Sequence, residues 1–279
     1  MKKMIALLLA AMMVLSMAAC ASKTAETAAP ADTAEPAAAE TAAAADSDLA
    51  YIQDKGTLVI GITDFEPMDY KDDNGNWIGF DADMATAFAK SLGVEVEFVE
   101  IIWDKKVPEL NSKTIDCVWN GMTLTNDVKS AMETSKAYCK NAQVVVVPKD
   151  KADKYKTVAD CKDLQFAVEV GSGGKEMAEA NSFNFREVTK QANALMEVAG
   201  GTSDAAIIDL LMAGAMIGDG TGYENLTYTV ELNSEEYGVG FRKGSDLAEK
   251  LNAFFDEYRS NGKLVEIATK YGVQEAVIK

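Results

Sequence analysis

Asp209 occupies the position in this sequence that most directly suggests ligand binding. It follows the apolar run at 205–208, so we expect it at the carboxyl end of a buried strand. Ligands of open α/β sheets collect at those strand ends, and a carboxylate there can bind a cation. Aspartate is also a good helix N-cap, and a helix is predicted directly afterwards, over 210–216. The sequence leaves both roles open, and one side chain can serve both.

A glycine-rich segment, Gly171-Ser172-Gly173-Gly174, stands between a predicted strand and a predicted helix. Unpaired backbone N–H groups at the start of a helix attract carboxylate or phosphate groups. The Gly-Lys-Ser/Thr order of a phosphate-binding P-loop is missing, so a nucleotide site is poorly supported. The segment is better described as a candidate carboxylate-binding loop.

Residue types that usually carry hydrolytic or metal chemistry are scarce in this chain. It contains no histidine, which removes the usual general base and the commonest zinc ligand. We therefore predict no metal and no cofactor. Three cysteines follow Cys20, namely Cys117, Cys139 and Cys161, so at least one is unpaired. Cys117 lies in an apolar run typical of a buried strand, and a bridge between Cys139 and Cys161 is left open.

The charge balance excludes one class of partner. The chain has 27 basic and 44 acidic residues, a net charge of −17 at pH 7. Nucleic-acid binding needs a basic patch to neutralise phosphates, so we predict no nucleic-acid partner. A small cationic solute is compatible with an acidic protein.

The elements that must position these residues alternate along the chain. Apolar segments typical of strands lie at 56–61, 94–102, 115–119, 143–148, 165–170, 204–208, 226–232 and 237–241. Helical patterns separate most of them, and Asp81 is the expected N-cap of the helix over 82–92. Strands that alternate with helices imply parallel sheets with helices on both faces, so the predicted fold class is α/β.

Six segments carry a resemblance to a known family. They are Gly56-Thr-Leu-Val-Ile-Gly-Ile62, Trp77-Ile-Gly-Phe-Asp-Ala-Asp83, Ile115-Asp116, Gly121-Met-Thr-Leu-Thr125, Asp204-Ala-Ala-Ile-Ile-Asp209 and Tyr237-Gly-Val-Gly-Phe-Arg-Lys-Gly244. In order and spacing, from about residue 51 to 273, they resemble the extracellular solute-binding proteins of amino-acid ABC importers, family 3.

That resemblance implies a two-lobed fold, the periplasmic-binding-protein type II or Venus-flytrap architecture, with two crossover strands. Lobe one would comprise residues 49–139 and 233–279, and lobe two residues 140–232. A ligand would bind in the cleft and bridge the lobes, and an ABC permease would recognise the closed form. We expect a monomer.

The resemblance also implies roles for nine residues. Asp209 would bind the ligand's ammonium group, and Glu169 would add a second negative charge to the cleft. Phe65 and Trp103 would form aromatic walls, although both could be ordinary core residues. The remaining positions are Asn120, Gly121 and Thr123 at a strand end, and Ser172 and Gly173 in the carboxylate-binding loop. Thr123 could instead satisfy its own turn.

One position departs from the family pattern. Relatives carry an arginine that binds the ligand carboxylate where this chain has Val128, and the adjacent Lys129 would point about 100° away on a helix. Two hypotheses follow. Either the ligand lacks a free α-carboxylate, as an amine or modified amino acid does, or its carboxylate rests on the Ser172 loop alone.

The leading functional prediction is a transport receptor that captures an amino acid or a related amine-bearing molecule, and not an enzyme. One alternative is a lyase on the same fold, similar to cyclohexadienyl dehydratase, with Glu169 or Glu66 as the acid or base. A second alternative is an accessory extracellular sensor.

The first 48 residues predict export and a membrane anchor. Lys2 and Lys3 precede an apolar run at 4–17, which suits a signal peptide over 1–19. The following Met17-Ala18-Ala19-Cys20 resembles a bacterial lipobox, so Cys20 would carry the lipid; an ordinary cleaved signal is the alternative. Residues 20–48 have the composition of a disordered acidic tether. Such an anchor suits a cell surface of the Gram-positive type.

Overall fold

The computed structural model describes residues 47–279. The predicted signal peptide, Cys20 and the acidic segment up to residue 46 lie outside the described residues. Thirteen strands are described: β1 (Thr57–Ile62), β2 (Tyr70–Lys71), β3 (Trp77–Ile78), β4 (Glu95–Glu100), β5 (Cys117–Thr123), β6 (Glu133–Thr134), β7 (Cys139–Asn141), β8 (Gln143–Pro148), β9 (Gln165–Glu169), β10 (Asn184–Val188), β11 (Ala205–Asp209), β12 (Leu226–Glu231) and β13 (Glu235–Phe241).

Nine α-helices accompany these strands in the described part of the chain. They are α1 (Asp48–Lys55), α2 (Phe80–Ser91), α3 (Lys106–Asn111), α4 (Asn126–Ala131), α5 (Gly173–Ala180), α6 (Gln191–Ala199), α7 (Leu210–Met216), α8 (Leu247–Ser260) and α9 (Lys263–Lys270). Short 3₁₀ turns cover Trp103–Lys105, Lys149–Lys154 and Val158–Cys161.

The first sheet has the strand order β4-β1-β5-β13-β6, with β7 also paired to β13. Strands β4, β1 and β5 are parallel, whereas β13 runs antiparallel to β5, β6 and β7. Residues 58–62 of β1 are all buried, as expected for a parallel strand covered on both faces. We call this sheet and the helices packed on it lobe one.

The second sheet has the order β10-β9-β11-β8-β12. Its first three strands are parallel, and β8 is antiparallel to both β11 and β12. We call this sheet and its helices α5 to α7 lobe two. The chain passes from the first sheet to the second between β7 and β8, and returns between β12 and β13. These two connections form the hinge region.

Helix α1 begins at Asp48, a residue that we expected at the end of the acidic tether. Ser47 caps the helix by accepting a hydrogen bond from the Ala50 N–H at 3.0 Å. Arg242 donates to the Asp48 carboxylate at 2.8 Å, and both side chains are buried. This long-range ion pair orders a segment whose composition alone predicts a tether.

The predicted N-cap role of Asp81 is wrong. Gly79 is the N-cap of α2, and Asp81 lies within the helix, fully buried. Its carboxylate accepts hydrogen bonds from the Gly121 N–H and the Tyr138 hydroxyl, each at 2.7 Å. Asp81 therefore connects α2 to the end of β5 instead of capping its own helix.

The cysteines are free in the described part of the chain: Cys117, Cys139 and Cys161 are each buried and none forms a disulfide. Cys139 lies in the first sheet, whereas Cys161 lies in a 3₁₀ turn of lobe two. Among residues 47–279, no helix is long and apolar enough to cross a bilayer, and no cluster of potential metal ligands is present.

Candidate functional site

A cavity of about 320 Å³ lies between the two lobes. It is bordered by the carboxyl ends of parallel strands from both sheets, because β5, β9 and β11 all end there. All nine residues that the sequence predicted for the cleft line it: Phe65, Trp103, Asn120, Gly121, Thr123, Glu169, Ser172, Gly173 and Asp209. The fold thus brings together side chains that lie more than 140 residues apart in sequence.

Asp209 lies at the base of this cavity, buried, as the last residue of β11. Its Oδ1 accepts hydrogen bonds from Asn141 Nδ2 and Tyr237 Oη, and its Oδ2 accepts one from Gln191 Nε2, each at 2.5 Å. It occupies the N-cap position of α7, but its carboxylate accepts no hydrogen bond from that helix. The three neutral donors hold the carboxylate in place without neutralising its charge.

Burial raises the pKa of Asp209 to about 7, with a further contribution from the nearby Glu235 carboxylate. Hydrogen bonds from Tyr237 and Gln191 oppose that shift. Desolvation acts in this direction because a carboxylate removed from water loses the hydration of its charge. At pH 7, the protonated and ionised forms of Asp209 are therefore present in comparable amounts.

Glu169 is a second buried carboxyl in the cavity, at the end of β9. Burial raises its pKa to about 8, the Asp209 charge adds to the shift, and Lys106 opposes it. Two neighbouring acids of like charge each favour protonation of the other. A cation placed between them would reverse this effect and ionise both.

Lys106, which the sequence did not identify, also lies in the cavity. Its Nζ donates to the carbonyl oxygen of Trp103 at 3.2 Å and, across the cleft, to that of Gly171 at 3.0 Å. The same ammonium lies 4.7 Å from the centre of the Trp103 ring. Burial lowers the pKa of Lys106. A signal existed, because residues three apart on a helical turn share a face, which places Lys106 beside Trp103.

Gly121 allows the Phe65 ring of the cleft wall to lie close to the backbone. Phe65 packs edge-on against Tyr237, with ring centres 6.3 Å apart. Gly121 has φ +53°, and a Cβ on it would lie 2.6 Å from the Phe65 ring. Only glycine fits this backbone conformation and this close approach. The packing of the cleft wall therefore requires glycine at position 121.

Asn120 lines the cavity, but its side chain is engaged within lobe one. Its Oδ1 accepts from the Thr63 N–H and hydroxyl, and its Nδ2 donates to Asp69 at 2.7 Å. The Thr123 hydroxyl donates to Glu235 Oε1 at 3.0 Å. These two side chains hold the end of β5 in place, and neither retains a free donor for a ligand.

Ser172 caps α5. Its hydroxyl donates to the Glu169 carbonyl at 2.8 Å and accepts from the Lys175 N–H at 3.2 Å. The hydroxyl proton is therefore used inside lobe two. Gly173 follows as the first residue of the helix, so the anion-binding capacity of this loop rests on backbone N–H groups rather than on the Ser172 side chain.

Comparison with known proteins identifies the family to which this chain belongs. The sequence profile of the bacterial extracellular solute-binding proteins, family 3, matches residues 58–274. The chain belongs to this family. The arginine-binding extracellular protein ArtP of Bacillus subtilis (strain 168) is 29% identical over 224 residues, which cover 78% of this chain and 86% of ArtP.

Solved structures of the same fold agree with this assignment. A mutant of ArgBP from T. maritima superposes with a TM-score of 0.75 at 32% identity, covering 80% of this chain and 98% of that one. The ancestral amino acid-binding protein AncCDT-1, a precursor of cyclohexadienyl dehydratase, gives a TM-score of 0.74 at 32% identity, with 81% and 99% covered. The architecture is therefore the two-lobed periplasmic-binding-protein type II fold that the resemblance implied.

Val128, the residue that the resemblance sets in place of a carboxylate-binding arginine, faces the cavity. It lies on α4, which Thr125 caps, and only 7% of its side chain is exposed. Lys129 is exposed and does not line this cavity. The three arginines of the chain lie elsewhere in the fold, paired with acids: Arg186 with Glu197, Arg242 with Asp48 and Arg259 with Asp256.

Proposed function

We propose that this protein is the extracytoplasmic receptor of an ABC importer and captures an amino acid or a related amine-bearing molecule between its lobes. The observation that carries the proposal is the pair of buried carboxyls, Glu169 and Asp209, at the strand ends that face the cavity. The relatives named above support the class of ligand, since ArtP is an arginine-binding protein and a solved form of ArgBP is arginine-bound.

The proposed mechanism is closure of the lobes around the ligand. Contacts across the cleft favour the closed form: Lys106 donates to the Gly171 carbonyl, and Lys190 of lobe two pairs with Glu100 of lobe one. A ligand that touches both lobes adds its own contacts to these and shifts the population further. Closure also excludes water, which strengthens the charged hydrogen bonds of the ligand.

Within this mechanism, Asp209 and Glu169 bind the ligand's cationic group, and Phe65 and Trp103 form the apolar walls. The main chain at Asn120, Gly121 and Thr123 provides the floor in lobe one, and the backbone of Ser172 and Gly173 the opposite edge. We propose lobe boundaries near residues 140 and 233, close to the two hinge connections. The protein would act as a monomer and not as an enzyme.

A panel of amino acids and amines in a thermal-shift assay tests this function. A ligand at 100 times its Kd stabilises a fold by about 2.7 kcal/mol, which is easily measured. Small-angle scattering should show compaction with the same ligand. Asp209→Asn should remove both effects, whereas Asp150→Asn, an exposed change outside the cavity, should leave them unaltered. Failure of every amine-bearing compound would contradict the proposal.

We further propose that a lipid on Cys20 tethers the domain to the cell membrane, with residues 21–46 as the spacer. Stable anchoring needs at least two acyl chains, which a lipoprotein modification supplies. Metabolic labelling with a fatty-acid analogue should mark the protein and should fail for Cys20→Ser. Equal labelling of both would rule out this anchor.

A lyase remains the second candidate because a buried acid with a raised pKa, Glu169, faces the cavity. The similar structure AncCDT-1 is a precursor of cyclohexadienyl dehydratase, which is consistent with this candidate. Glu66, the other sequence candidate, does not line the cavity. Prephenate carries two carboxylates, which the acidic cleft disfavours. Incubation with prephenate, followed by chromatography for the dehydrated product, decides between the two functions.

A further inference from the structure

The charge of the cavity lining is strongly unequal. Six acids line it, Asp104, Asp127, Glu169, Glu176, Glu179 and Asp209, against two lysines, Lys106 and Lys175. Glu169 and Asp209 are nearly inaccessible, with 3% exposure each, and the other four acids lie nearer the rim. A cleft of this composition has a negative potential that attracts cations and repels anions.

Both lysines already contact protein groups. Lys106 donates to two carbonyl oxygens and lies over the Trp103 ring, so its ammonium group is held by contacts within the protein. Lys175 pairs with Glu187 at 2.6 Å and lies 3.8 Å from Glu179. Both ammonium groups serve contacts inside the protein, and the cavity offers no guanidinium, since Val128 provides an apolar surface instead.

The glycine loop is also poorly suited to a ligand carboxylate. The Ser172 hydroxyl donates to the Glu169 carbonyl oxygen and accepts from the Lys175 N–H, so its proton is already used. On the far side of Gly173, the Glu235 carboxylate lies 3.4 Å from the position of a Cβ on that residue. A protein carboxylate therefore already lies beside the start of α5, where a ligand carboxylate would seek backbone N–H groups, and the two would repel each other.

We propose that the cleft selects small cationic amines that lack a carboxylate over the amino acids from which they derive by loss of carbon dioxide. This inference rests on the proposed receptor function and specifies its ligand class. The amine or guanidinium binds between Glu169 and Asp209, and the rest of the molecule lies against Phe65, Trp103 and Val128. A carboxylate on the same ligand would be buried beside these acids, in a cavity whose two lysines already contact protein groups.

Matched pairs of compounds test this selectivity. Agmatine differs from arginine, and cadaverine from lysine, by the carboxylate alone. Isothermal titration calorimetry at pH 8 should give Kd values for the amines at least about tenfold lower than for their amino acids, a difference that corresponds to about 1.4 kcal/mol. Equal or tighter binding of the amino acids would overturn the inference while leaving the receptor function intact. Binding of neither class, with no compaction in scattering, would overturn both.

A designed variant gives an independent test. Val128→Arg places a guanidinium on the cavity wall, and we expect it to weaken agmatine and to strengthen arginine, so that the preference reverses. Ser130→Arg adds the same charge to the same helix at an exposed position about 200° around the axis, and should leave the preference unchanged. Circular dichroism melting of both variants checks folding. If the Val128→Arg variant folds but still prefers agmatine over arginine to the same extent, the absence of a guanidinium at position 128 does not explain the preference, and this part of the inference is wrong.

Discussion

Raising the pH from 6 to 8 should tighten the binding of a cationic amine at least about tenfold. The perturbation acts on the two buried acids of the cleft, because a cation binds their ionised forms. Asp209, with its pKa raised to about 7, is about one tenth ionised at pH 6 and about nine tenths at pH 8. Glu169, with its pKa raised to about 8, adds to the effect in the same direction.

The sign of this dependence follows from competition with protons. Glu169 faces Asp209, Lys106 and Lys190, and Asp209 faces Glu235 and Tyr237. The folded, ligand-free protein therefore holds protons at a pH where the unfolded chain has released them. The contribution of these groups to folding stability is present below about pH 4 and is lost as the pH rises through 7 and 8. Amine binding has the opposite slope, because the ligand displaces the protons.

Calorimetry with agmatine measures both the affinity and the number of protons released on binding. Agmatine is a suitable probe because it keeps its charge between pH 6 and 8. Titrations in two buffers of different ionisation enthalpy should report proton release at pH 7, and Kd should fall between pH 6 and 8. Glu169→Gln should reduce the proton release, whereas Glu179→Gln, at the exposed rim, should not. An affinity that is independent of pH, with no protons released, would refute the assignment of these two acids to the ligand's cation.

Three further predictions concern residues around the site and the core. Gly121→Ala should destabilise the fold by about 1–3 kcal/mol in urea unfolding, because the new Cβ meets an aromatic ring at a left-handed backbone position. Arg242→Met should lower the free energy of unfolding by about 3 kcal/mol because the buried Asp48 carboxylate loses its charge partner, whereas Arg186→Met, at a half-exposed pair, should lower it by less than about 1 kcal/mol. Lys106→Met should raise the pKa of Glu169 further, as measured by a ¹³C carboxyl titration; an unchanged or lowered pKa would contradict the proximity of the two groups.

The positions of the cleft residues were largely predictable from local pattern. Asp209 and Glu169 each end an apolar run, and strand ends of parallel sheets converge, so their meeting at the cavity follows from the alternation of strands and helices. Gly171 to Gly174 could be placed in the same way, between a strand and a helix. The absence of histidine and the valine at position 128 are properties of the sequence itself.

The functions of individual side chains were less predictable. Ser172 and Asn120 were expected to contact a ligand, but their polar groups are engaged by Glu169 and by Thr63 and Asp69. The spacing of Lys106 from Trp103 was a local signal, but its contact with the Gly171 carbonyl, 65 residues away, was not predictable. Such pairings depend on which strand ends meet across the cleft, and local periodicity carries no information about them.

The sequence alone determined the family, the α/β architecture and the excess of acids over bases, because these depend on residue type and order. Only the tertiary structure decided which acids become desolvated, which cations are already paired and where the apolar surface of Val128 lies. Desolvation and pairing are properties of the space around a side chain, and that space is built from segments distant in sequence. The ionisation of Asp209, and with it the preference proposed for the ligand, is therefore set by the fold.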